Sequence, residues 1–159
     1  VHPWRNTCTM RLSRGVRAGL ACVMLTTLIG TSGCDEKLSD LVGPTPNLAP
    51  TFSSIRAEIL QSTDLAGRTA CVNCHRPQGG TPMNLVDDPY GALVGVMSRQ
   101  KPGAILVVPG DPDASYLIHK LEGRSDIVQL RMPRNGPPYL TPGQITVIRR
   151  WIENGAPNN

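Results

Sequence analysis

Large aromatic side chains are scarce in this chain, with one Phe, three Tyr and two Trp among 159 residues. A domain with so few bulky residues builds a thin core, and a bound cofactor is one way to supply the missing apolar volume. The 16 Gly and 15 Pro make it loop-rich and exclude a coiled coil or a β-sandwich rich in strand formers. Acidic residues are absent from residues 1–33, which carry Arg5, Arg11, Arg14 and Arg17. These four arginines account for the whole formal charge of +4 and leave residues 34–159 with 12 basic and 12 acidic side chains. No Lys/Arg run survives there to displace counterions from phosphate, which argues against nucleic-acid binding. The length suits one compact domain plus a leader and a linker.

Long apolar runs are also missing. The stretch Ala18 to Gly30 is shorter than the roughly 20 residues a spanning helix needs. Preceded by Arg11, Arg14 and Arg17 and followed by small residues, it reads as an export signal over residues 1–33, with Val1 and Met10 both open as the start. Thr31-Ser32-Gly33-Cys34 resembles a bacterial lipobox, with Thr31 where an aliphatic residue is usual. That resemblance implies a lipidated Cys34 that holds the mature protein to a bilayer on the periplasmic side; ordinary cleavage and an uncleaved anchor are the alternatives. Asp35 resembles an inner-membrane retention signal of some bacteria, and which membrane is used stays open. Residues 34–50, with three prolines and no clear period, read as a tether that reaches up to roughly 50 Å if extended at about 3.1 Å per residue. Leu38, Leu41 and Val42 could instead form a short helical face.

Beyond Cys34 only Cys71 and Cys74 remain of the five cysteines, in Cys71-Val72-Asn73-Cys74-His75. In an exported chain, Cys-x-x-Cys followed by His is the attachment signature of c-type haem. Two thiols three positions apart on a turn can add to the two vinyl groups of one porphyrin edge, and the adjoining imidazole then sits beneath the iron. A thioredoxin-like disulfide would need a βαβ context that is lacking here. A zinc site would need more Cys or His ligands than Cys34 and His119 provide.

Four residues are candidates for the second axial position: Met83, Met97, Met132 and His119. Met132 is preferred. It lies in a Pro- and Gly-rich segment, and Pro133 biases it toward extended backbone, so its soft thioether can project from a stiff loop. Met97 falls in Tyr90–Met97, which reads as a short helix, and Met83 is only eight residues past His75. His119 is the rival; it belongs to a predicted helix with Asp111 as N-cap, Pro112 as first residue and Leu117, Ile118 and Leu121 as apolar face. Spacing puts His119 off that face, as a rim histidine.

Two further helices are predicted. One runs from Thr51 with Phe52, Ile55, Ile59 and Leu60 on one side. The other opens on Thr141-Pro142-Gly143-Gln144, an N-cap, first-turn proline and capping-box partner, and buries Ile145, Ile148, Trp151 and Ile152 while Arg149 and Arg150 face water; Gly155 can stop it. Ile105–Val108 is the one β-like run, and Gly79-Gly80 reads as a turn.

In their order, Cys71-x-x-Cys74-His75, Val108-Pro-Gly-Asp-Pro-Asp-Ala-Ser115, Met132-Pro with Pro137-Pro138, and Ile148-x-x-Trp151-Ile152-x-x-Gly155-Ala156 resemble the small single-haem cytochrome c domains, the planctomycete-type group most closely. The resemblance covers residues 51–159. It implies an all-α fold of about four short helices around one covalently attached haem c, the first and last helices crossing near the haem edge, Cys71 and Cys74 attached, and His75 and Met132 axial. The expected function is that of a membrane-tethered electron carrier serving redox partner proteins, and not an enzyme. No paired carboxylates, nucleophile–base pair or phosphate loop accompany the motif. The alternative is a haem enzyme or gas sensor with an open iron site, peroxidase-like, with His119 and Arg131 or Arg134 as distal helpers.

Overall fold

The computed structural model describes residues 45, 47–81 and 83–159. The export signal of residues 1–33, the lipidation site Cys34 and the tether up to residue 44 lie outside the described residues. No described helix is long and apolar enough to cross a membrane.

Helix α1 covers Phe52–Ile55 and continues as a π turn over Arg56–Leu60. Thr51 caps it, its hydroxyl accepting from Ser54 N at 3.3 Å, which satisfies one of the amides that a helix start leaves open. Phe52 N and Ser53 N are satisfied from the other end of the chain, by the Asn159 side-chain and backbone oxygens at 3.0 and 2.8 Å. Phe52, Ile55, Ile59 and Leu60 are all buried; the wider turn carries Ile59 and Leu60 inward together.

Helix α2 is Tyr116–Glu122, a later start than Asp111 and Pro112 predict. Asp111 Oδ1 accepts from Ala114 N within a turn, and Ser115 becomes the N-cap residue. The first amides of α2 are used elsewhere: Tyr116 N and Leu117 N donate to the Ile105 and Leu106 carbonyls, both at 2.9 Å. A tertiary pairing therefore overrides the local start signal. Residues 90–97 differ from the expected helix for a related reason. Gly95 turns the chain at φ +72°, a conformation glycine adopts without steric cost. Val94 and Met97 then make isolated bridges to Val107 and Ile105. The β-like run at 105–108 thus finds single bridges, and no extended ladder forms among the described residues.

Helix α3 spans Pro142–Glu153 with the capping box formed: Thr141 Oγ1 accepts from Gln144 N, and Gln144 Oε1 accepts from Thr141 N. Gln144 is fully buried and also donates to Thr45 Oγ1. Ile145, Ile148, Trp151 and Ile152 face the core, and Gly155 follows the C-cap at φ +89°. Arg149 corrects the expectation of a water-facing side chain: it pairs with Asp113 and Glu122 and so fastens α3 to the 111–122 segment. Replacement of Thr141 by Ala removes one cap bond and is expected to lower stability by about 1 kcal/mol. Urea unfolding measures it, and an unchanged midpoint would show that the cap is idle.

Three of the six aromatics hold these pieces together. Phe52 packs edge-on against Tyr90, with centroids 5.1 Å apart, and lies 5.5 Å from Trp151, so α1 and α3 meet through Phe52 and Trp151. The polar ends of the other two rings bond to backbone, Tyr90 Oη to Ala156 O and Trp151 Nε1 to Pro157 O, each at 2.9 Å. Buried aromatics keep such partners because an unpaired donor in apolar surroundings is costly.

Candidate functional site

Between α1, α2, α3 and the loops lies a cavity of about 1020 Å³. That reaches the top of the roughly 300–1,000 Å³ range of cofactor sites. Its apolar wall includes Ile55, Leu60, Leu93, Leu121 and Trp151.

The sulfur-bearing edge is built by the loop after α1. Asp64 and Arg68 are both buried and paired, Arg68 Nε to Asp64 Oδ2 at 3.1 Å with side-chain exposures of 0% and 2%. Asp64 Oδ1 also accepts from Ala66 N and Arg68 N, and the guanidinium donates to the Ile59, Ser62 and Thr69 carbonyls. One ion pair thus ties the end of α1 to the residues just before the motif. There Cys71–Asn73 form a 3₁₀ turn, with Cys74 N and His75 N donating to Cys71 O. Side chains at i and i+3 eclipse in such a turn, which puts Cys71 and Cys74 on one edge; both thiols are free and both line the cavity. Burial pushes the Cys71 thiol pKa up, and the Arg68 guanidinium opposes this.

His75 lines the cavity beside them. Burial lowers its pKa, against a weaker opposing pull from the Met83 carbonyl, and its buried Nδ1 has no hydrogen-bond partner among the described residues. The imidazole is therefore favoured in its neutral, metal-binding form. The turn that follows is packed closely: a side chain at Gly79 would collide with the Cys74 carbonyl, which also accepts from Thr81 Oγ1 at 3.1 Å.

Met132 lines the same cavity, as do Met83 and Met97. Met97 is 61% exposed, whereas Met132 packs against the core and its N–H donates to Lys120 O at 2.9 Å. His119 is not among the cavity-lining residues. Its ring nitrogens lie 2.7 Å from Asp126 Oδ2 and 2.6 Å from Asp113 O, within a cluster that includes Lys101 and Arg124. Lys101 and His119 beside Asp126 hold that carboxyl at about 2, and Arg124 and Arg149 do the same for Asp113.

Charge in the cavity lining is one-sided. Arg99, Lys120 and Arg134 face it, and no Asp or Glu does among the described residues. In a chain whose charges otherwise balance, such a lining suits an apolar occupant with an anionic edge. Sequence reasoning missed the parts played by Arg68 and Lys120. Asp64 and Arg68 stand four apart just ahead of the motif, a spacing that signals the pair, and Lys120 lies within an apolar helix. Neither pattern by itself reveals burial.

Compared with known proteins, the chain matches no family model, no curated protein and no solved structure. The residues of the site therefore carry the functional argument alone.

Proposed function

We propose that residues 51–159 form a single-haem, c-type cytochrome domain that passes single electrons between redox partner proteins and is tethered through Cys34 to a membrane on its periplasmic side. One observation carries this reading: Cys71, Cys74 and His75, and Met132 some 57 residues later, all line one largely apolar cavity.

The donor set fits haem c. Two free thiols on one edge of a turn suit thioether bonds to a porphyrin, a buried neutral imidazole suits iron, and a thioether is a soft partner that favours Fe(II). Arg99 and Arg134, in a lining with no Asp or Glu among the described residues, suit the two carboxylates of the porphyrin edge. Bound, the haem would supply one-electron exchange with no bond made to a substrate.

The chain's own residues have separable tasks. Cys71 and Cys74 would fasten the group through thioether bonds, and His75 and Met132 would hold its iron. The apolar wall excludes water, which together with the His/Met pair favours a raised potential. An electron carrier needs no acid–base residue at the iron. In the competing reading of an open iron site, His119 is the distal helper, yet both its ring nitrogens are engaged outside the cavity.

The test is an absorption spectrum of the full chain produced in cells with haem-attachment machinery, taken native and then denatured. Haem that stays bound after denaturation, with a native methionine-to-iron charge-transfer band, is the expected result. Bound haem without that band would favour the open-site haem enzyme or gas sensor, and absence of haem would overturn the reading.

A further inference from the structure

The segment between α2 and α3 that presents Met132 has no regular secondary structure. Something other than a helix or strand must therefore hold the thioether in place, because a ligand on a loose loop spends its binding free energy on ordering that loop. Lys120, on α2, meets this need three times over. Its Nζ donates to Val128 O at 2.9 Å and to Leu130 O at 2.6 Å, and its own carbonyl accepts from Met132 N at 2.9 Å.

Two independent features show that this contact is built and not incidental. Lys120 is 6% exposed and makes no ion pair among the described residues. A lysine side chain this buried without a carboxylate partner is rare and costly, and two of its three donors are met by the loop carbonyls. Between those carbonyls, Gln129 has φ +63°, in the left-handed region that side chains other than glycine seldom adopt. Such a backbone persists only where its surroundings over-determine it. The turn at Gln129 is what lets carbonyls two residues apart converge on one nitrogen, and the Gln100 carboxamide holds it from the outside, donating to Gln129 Oε1 at 3.2 Å.

The geometry points to Lys120 as the positioning residue for Met132, clamping the 128–132 loop so that the thioether is presented to the cavity. Lysine suits the task because it combines reach with three donors on one atom. Arg131 supports it from the next residue of the helix, with Nε donating to Leu121 O at 2.7 Å. The inference rests on the haem reading above, with Met132 as ligand.

The experiment compares the full, haem-loaded chain with Lys120→Met, Lys120→Arg and Met132→Ala. Lys120→Met keeps the length and apolar stem but removes the donors. It is expected to weaken the methionine-to-iron band, to speed carbon monoxide binding to the reduced protein at least tenfold, and to raise hydrogen exchange at the Met132 amide at least tenfold. Haem content and exchange at Ile148 in α3 should be unchanged. Lys120→Arg, which restores donors, should recover much of the band. Lys120→Met with native band, carbon monoxide rate and Met132 exchange would overturn the inference. If Met132→Ala itself leaves band and rate unchanged, the axial assignment fails instead. A Lys120→Met protein that opens the iron where Met132→Ala does not would make the lysine amine the ligand and so also overturn the positioning role. Should Lys120→Met not fold, Lys120→Gln, too short to span both carbonyls, gives the same exchange comparison.

Discussion

Replacing Met132 with Ala is expected, under the proposed c-type haem reading, to open the iron to carbon monoxide and to lower the reduction potential by on the order of 0.1 V, within the span of about 0.8 V that axial ligands command. The direction follows from the ligand's chemistry. Thioether sulfur stabilises Fe(II) over Fe(III), and its loss removes that preference while leaving a free coordination position. Three methionines line the cavity, so the assignment has internal rivals. Met97 is mostly exposed, and Met83 is near His75 in sequence, whereas Met132 is tied to α2 through its own N–H. Parallel measurements on Met83→Ala and Met97→Ala should therefore show near-native spectra and potentials, as should His119→Ala. A shift in the ligand field for any of these three, with none for Met132→Ala, would move the second axial position to that residue.

Arg68→Ala is expected to cost about 3–5 kcal/mol of folding stability, the usual effect of removing one partner of a buried ion pair. Asp64 would remain nearly inaccessible at 2% side-chain exposure, keeping its two backbone donors but losing the guanidinium. The carbonyls of Ile59, Ser62 and Thr69 would lose theirs as well. An unpaired buried charge is far costlier than the pair is valuable, so the double variant Asp64→Leu/Arg68→Met should be more stable than Arg68→Ala. Urea unfolding of wild type and the variants measures this, and a loss below about 1 kcal/mol for Arg68→Ala would mean that the pair behaves as a surface one. A second effect follows from its position. Because the same network places the turn that carries Cys71, the haem attachment proposed for that turn should fall along with stability.

The parts of the molecule legible in its sequence are those set by short-range geometry. The capping box at Thr141 and Gln144 needs only a spacing of three residues, and the buried faces of α1 and α3 follow from helical periodicity. The spacing of Cys71, Cys74 and His75 likewise anticipates three side chains on one turn. Signals of this kind failed where a distant segment competed for the same backbone groups. Tyr116 N and Leu117 N, which in a helix begun at Pro112 would bond within it, donate instead to Ile105 O and Leu106 O, and Val94 and Met97 pair with the 105–107 segment instead of closing a helix.

By itself the sequence determined the chemistry on offer: two thiols and an imidazole at fixed spacing, a methionine in a proline-rich loop, and helices whose apolar faces need a common centre. Only the tertiary structure decided that these groups share one cavity, that its lining among the described residues carries cations and no Asp or Glu, and that His119 is held outside it. It alone also shows Arg68 and Lys120 buried, one behind the cysteine turn and the other beneath the Met132 loop. The physical reason is that burial and charge pairing depend on residues tens of positions apart, which local spacing cannot encode, whereas caps, turns and amphipathic faces are settled within a few residues of themselves.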